Sequence, residues 1–162
     1  MENEKQSEKD YTEFVSLLNK HKVDYLIVGG YAVMFHTLVP RETKDIDFWI
    51  RPTKKNAEKC SEAIKEFCGM EFKREDLLEK GAICYIGVAP NRIDIFNEQG
   101  PVDFEKAWEK RKDDRYWEVN VHFVSREDLI ILKQYADREQ DRKDVKRLNR
   151  NRGKGSQGKK AA

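Results

Sequence analysis

The chain of 162 residues is long enough for one domain with a sizeable core, and its 38% hydrophobic and 10% aromatic content excludes a wholly disordered polymer. Its formal charge of +2 is unevenly spread: residues 138–162 carry ten Lys/Arg against three Asp/Glu, which leaves residues 1–137 about five charges negative. Such asymmetry fits either a basic arm for nucleic acid or a solubilising helix end with a frayed tail.

In chain order, Tyr11, Phe14, Val15 and Leu18 fall at i, i+3, i+4 and i+7, which predicts an amphipathic helix. Residues 24–28 read as a short buried strand ended by Gly29-Gly30, and residues 31–35 open a second helix. Alternating polarity over 45–50 and again over 92–96 predicts two strands, separated by a helix over 54–67 and a strand over 83–88. A short helix over 104–111 and a strand over 116–124 follow. Ser125 then caps a helix whose Leu129, Leu132, Lys133 and Ala136 share one face. A last helix is expected over 138–149, and the Gly/Lys/Ser-rich residues 153–162 read as a disordered basic tail after a domain spanning 1–152. Strands alternating with helices predict an α/β (α+β) domain: a mixed, twisted sheet flanked by helices, with helices at the C-terminus.

The longest apolar run, residues 25–35, is broken by the glycine pair and is too short to span a bilayer. Three cysteines without a C-x-x-C pair suggest neither a disulfide framework nor a zinc knuckle. With a polar N-terminus, a reducing, cytoplasmic home is expected.

The sharpest chemical feature is Asp45-Ile46-Asp47. Residues two apart in a strand point to one side, so both carboxylates emerge together while Ile46, Phe48 and Ile50 turn to the core. Asp94, between Ile93 and Ile95, repeats that logic. If the two strands are neighbours, three carboxylates converge, and crowded anions of this kind need a proton or a cation between them. Hard oxygen ligands suit Mg²⁺, which keeps some waters and takes phosphate oxygens. Alone, Asp-x-Asp is more often a solvated strand face than a site. Gly29-Gly30 lies where a strand gives way to a helix, so its N–H groups suit a phosphate, although a tight turn uses glycine equally well. Arg41, Thr43 and Lys44 lie between the two motifs. The order strand, Gly-Gly, helix, basic loop, Asp-x-Asp strand, third Asp strand is more specific than any of its parts.

In that order the chain resembles the polymerase-β-like nucleotidyltransferase superfamily, and within it a small bacterial branch related to abortive-infection nucleotidyltransferase toxins. The resemblance runs through VGGYAVMFH, PRETKDIDFWIRPTKKNAEK, PNRIDIF, VDFEKAW and SREDLIILKQYADREQDRKDVKRL, over roughly residues 23–148. It implies the nucleotidyltransferase fold. It further implies two Mg²⁺ ions on Asp45, Asp47 and Asp94, and a nucleoside triphosphate as substrate. Asp94 would help deprotonate an attacking hydroxyl. Gly29 and Gly30 would hold phosphates, Arg41 and Thr43 would shape the phosphate loop, Lys44 would bind the nucleotide, and Lys133 would reach the triphosphate. Arg138, Asp141 and Asp144 match a run that serves the site or makes helix-packing salt bridges. Two departures stand out: residues 36–40 are about one residue longer than usual with no Gly after His36, and Ala136-Asp137 replaces a more common Gly before Arg138.

A second reading is a non-catalytic nucleotide- or RNA-binding protein, or an antitoxin-like partner, with a degenerate fold. On that reading Trp49, Trp108 and Trp117 offer stacking surfaces, though core or rim positions suit all three better. RNA or protein is a possible acceptor in the catalytic case, and no membrane partner is expected. His21, His36 and His122 share no metal-ligand spacing, and Cys84 fits a buried strand.

Overall fold

Strand β1 (Tyr25–Val28) is buried along its whole length and lies inside the sheet. In this computed structural model, which describes residues 2–150, the chain order is α1 (Glu2–Lys20), β1, α2 (Gly29–Thr37), β2 (Asp45–Ile50), α3 (Lys54–Cys68), α4 (Arg74–Leu78) and β3 (Ile83–Ile86). It continues with β4 (Arg92–Phe96), α5 (Phe104–Glu109), β5 (Lys112–Tyr116), β6 (Val119–Phe123), α6 (Arg126–Ala136) and α7 (Glu139–Arg150). The six strands form one mixed sheet in the order β3-β4-β2-β1-β6-β5. Pairings β2–β4 and β1–β6 are parallel, and the other three are antiparallel. The expected tail over 153–162 lies outside the described residues.

Alternation in the central strands separates two faces. Ile46, Phe48, Ile50, Ile93 and Ile95 are all at most 2% exposed, and each contributes about 1.5–3 kcal/mol by leaving water. Helices α1 and α3 pack together, with Phe14 edge-on to both Phe48 and Phe67. The opposite face carries the three aspartates at one end. At its other end Trp49 lies under Phe104 of α5, ring centroids 5.1 Å apart. Trp49 is buried, while Trp108 and Trp117 pack half-buried against the core, so all three are structural aromatics.

Helix termini follow the expected chemistry. The Ser125 hydroxyl accepts the Asp128 N–H at 3.1 Å, and Thr53 caps α3 in the same way. Helix α2 starts at Gly29, two residues before its predicted start. The single strand expected over 116–124 is instead a hairpin of β5 and β6, turned at Trp117 and Glu118, both with positive φ (52° and 63°). Helix α4, five residues long, was not anticipated from the sequence. All three cysteines are free, Cys60 and Cys84 in the core and Cys68 exposed. Among the described residues, no helix is long and apolar enough to cross a membrane.

Candidate active site

Pairing of β2 with β4 brings the aspartates together. Asp47 lies directly opposite Asp94, and Asp45 opposite Arg92. One carboxylate oxygen from each of Asp45, Asp47 and Asp94 lies within 4.8 Å of the other two. The condition set by the sequence, that these strands be neighbours, is met by the parallel ladder. All three carboxylates open into a cleft of about 490 Å³ between the sheet and helices α6 and α7.

Crowding shows in the proton affinities. Partial burial, with Asp45 and Asp94 alongside, pushes the Asp47 carboxyl up to about 8. Burial and Asp94 also raise Asp45, against the pull of Arg92. A donor set made only of carboxylate oxygens, with more negative charge than it stabilises unaided, fits a hard divalent cation such as Mg²⁺.

Arg92 was not singled out by the sequence. Its Nε donates to Asp94 at 2.7 Å, and its Nη2 donates to both Asp94 and Asp45 at 3.0 Å. The guanidinium also lies 4.6 Å from the centre of the Tyr85 ring. An Arg starting a strand carries no distinctive sequence signal; only the strand pairing shows its partners.

Gly29 has φ +69°, and a Cβ there would sit 2.0 Å from Oδ2 of Asp47. Both observations demand glycine, and they place the start of α2 directly against the carboxylates. No side chain caps the first N–H groups of this nine-residue helix, and no acidic residue stands in its first turn, so that end suits an anion. A Cβ on Gly30 would meet Arg41 at 2.5 Å and Thr43 at 3.1 Å. Those two side chains therefore pack on the Gly30 backbone. The Thr43 hydroxyl also donates to the Asp45 carbonyl at 2.9 Å, bracing the entry to β2.

Lys133 reaches the cleft from α6. Its Nζ is shared between Asp141 at 3.2 Å and Asp144 at 3.1 Å, both on α7. Arg41 grips Asp144 with two hydrogen bonds of 2.9 and 3.1 Å, and Arg138 pairs with Asp141 at 2.7 Å. Burial alone would raise Asp144, but Arg41 and Lys133 outweigh it and hold the carboxyl below its ordinary value. Asp144 thus packs helices, while Asp141, Arg138, Lys133 and Arg41 also face the cleft. Lys44 is exposed and does not line it. His36 lies outside it too: Nε2 is 2.7 Å from the Val124 carbonyl, which can only accept, so this nitrogen carries the proton and ties α2 to the end of β6.

The mixed sheet, the glycine turn into α2 and the flanking helices define a nucleotidyltransferase fold. The chain belongs to the family described as nucleotidyltransferase of unknown function (DUF6036), which matches residues 9–149. A structural relative with the same fold is LnuA, a lincosamide antibiotic adenylyltransferase solved with lincomycin bound. It is 18% identical, with a TM-score of 0.55, over 87% of this chain and 95% of LnuA. No curated protein matches the chain by sequence.

Proposed function

We propose that the protein transfers a nucleoside monophosphate from a nucleoside triphosphate to an acceptor hydroxyl, in a Mg²⁺-dependent reaction. The observation that carries this reading is the convergence of Asp45, Asp47 and Asp94 within 4.8 Å beside the uncapped start of α2. Gly29 and Gly30 receive phosphate oxygens on their N–H groups, and Arg41 and Thr43 hold that turn in shape. Lys133 and Arg138 line the same cleft and face the triphosphate tail with positive charge. Lys44 would join them only by swinging inward. Asp94 accepts the proton of the attacking hydroxyl; the new O–P bond forms at the α-phosphorus as the bond to pyrophosphate breaks. Two Mg²⁺ ions held by Asp45, Asp47 and Asp94 would supply charge neutralisation for the attacking and leaving oxygens.

Titration of ATP, GTP, CTP and UTP by calorimetry, with and without Mg²⁺, tests the reading. The expected result is metal-dependent binding of at least one nucleotide, lost in Asp45→Ala/Asp47→Ala while the melting temperature holds or rises. Transfer retained by that double variant would remove the mechanism.

One observation favours a second reading, a non-catalytic nucleotide- or RNA-binding protein or antitoxin-like partner: Arg92 already pairs with two of the three carboxylates from within. Nucleotide binding indifferent to Mg²⁺ would support it. Kinship with abortive-infection toxins rests on motif order.

A further inference from the structure

Resting on the transferase reading, we propose that the acceptor is a small, uncharged hydroxyl compound with a flat apolar face, bound against Tyr85 and Ile83 on edge strand β3. The sheet register gives the direction. Val28, Asp47, Asp94 and Tyr85 form one row across four strands, each opposite the next. Neighbouring strands lie about 4.8 Å apart and side chains in one row share a face. The phosphate-binding end of α2 begins where the row starts, just after Val28. Tyr85 closes its other end, two strand spacings or about 10 Å beyond Asp47. In-line displacement needs the attacking oxygen on the side of the phosphorus away from the leaving pyrophosphate. With the triphosphate at the α2 end, the hydroxyl arrives over Asp94 from the β3 side.

The chemistry at that side is apolar. Tyr85 is 50% exposed and Ile83 is 39% exposed, yet both line the cleft, and Phe96 stands opposite Ile83. An edge strand ordinarily carries charge or polarity on its open positions. Here an aromatic and a branched aliphatic side chain look into the reaction cleft instead, which fits stacking of a ring. Among the described residues lining this end, the one cation is Arg92, and Asp45 and Asp94 already engage it. A phosphodiester backbone would therefore find no free positive charge beside the attacking hydroxyl.

The test uses the full chain with Mg²⁺ and α-labelled nucleoside triphosphates. Acceptors are phenyl and 4-methylumbelliferyl glucosides, the matched methyl glucoside and glycerol, mixed tRNA, and a denatured protein. Label should enter the aryl glucosides at least tenfold faster than methyl glucoside or glycerol. Tyr85→Ala and, separately, Ile83→Ala should raise KM for the aryl acceptor at least tenfold, with nucleotide affinity measured by calorimetry kept within about twofold. Ile83→Ala guards against an indirect effect through Arg92, since it leaves the Arg92–Tyr85 stack in place. Label in tRNA or protein, equal use of methyl and aryl glucosides, KM unmoved by both variants, or no labelled product would each overturn the acceptor assignment. Calorimetry separates the two failures: nucleotide binding that depends on Mg²⁺ and on Asp45 and Asp47 keeps the transferase reading, and its absence removes both.

Discussion

Arg92 and Asp47 show how a carboxylate cluster is managed in opposite ways. Asp94 and Asp45 share the Arg92 guanidinium, whereas Asp47 has no such partner within the cluster and holds its proton to about 8. A divalent ion must compete with Arg92 for the same oxygens, so Arg92→Gln should tighten Mn²⁺ binding to the nucleotide-free protein several-fold. Electron paramagnetic resonance of bound Mn²⁺ measures this, and weaker binding would show that Arg92 assists the ion. For Asp47 the unfolded chain titrates at about 3.9, so between that value and about 8 the folded protein holds a proton that the unfolded one has lost. The stabilisation is complete below the unfolded value and disappears as pH rises through the folded one. In chelator, the melting temperature should therefore fall from pH 6 to 9, and Asp47→Asn should remove most of that slope. Mg²⁺ should restore more stability at pH 8 than at pH 6.

Helix ends carry the next prediction. Leu38 at the C-cap of α2 has φ 60°, and Asp137 at the C-cap of α6 has φ 49°. These are the two places where the sequence lacks the expected glycine, and the structure supplies the reason that glycine suits them: both helices end in the left-handed conformation. Leu38 is 79% exposed, so replacing it forfeits little burial while relieving a backbone cost of about 1–2 kcal/mol. Glycine's greater freedom in the unfolded chain returns part of that gain. Leu38→Gly should therefore stabilise by about 0.5–1 kcal/mol in urea unfolding, and a loss would show that the exposed side chain packs in solution. Elements with strong periodicity were legible: α1, α3, α6, α7 and the strands carrying the aspartates stand close to their expected places. Strand β5 was not, because Lys112, Asp113, Asp114 and Arg115 make both its faces polar at the sheet edge and its turn lacks Asn-Gly or Asp-Gly. Helix α4 spans barely more than one turn and shows no period. The aspartates and glycines were readable because strand alternation and turn chemistry are local. The Arg92 ion pairs and the Tyr85 row were not, since each needs the β2–β4 or β3–β4 register.

Across the whole molecule, one buried ion network joins the loop before β2 to the last two helices. Asp144, fully buried, accepts from Arg41 and from Lys133, which in turn meets Asp141. Removing that carboxylate leaves the largely buried Arg41 guanidinium without its ion pair and Lys133 with Asp141 alone. Asp144→Ala should accordingly cost about 3–5 kcal/mol, measured by denaturant unfolding. A milder loss in Asp144→Asn would assign the difference to the hydrogen bonds and volume that Asn keeps, and the loss common to both variants to charge. The clamp also has a temporal consequence. Chains emerge N-terminus first, so Gly29, Asp45 and Asp47 exist long before α7 can grip Arg41. A nascent or truncated product ending before residue 144 has every proposed metal ligand but lacks the carboxylate that ties Arg41 and Lys133 together.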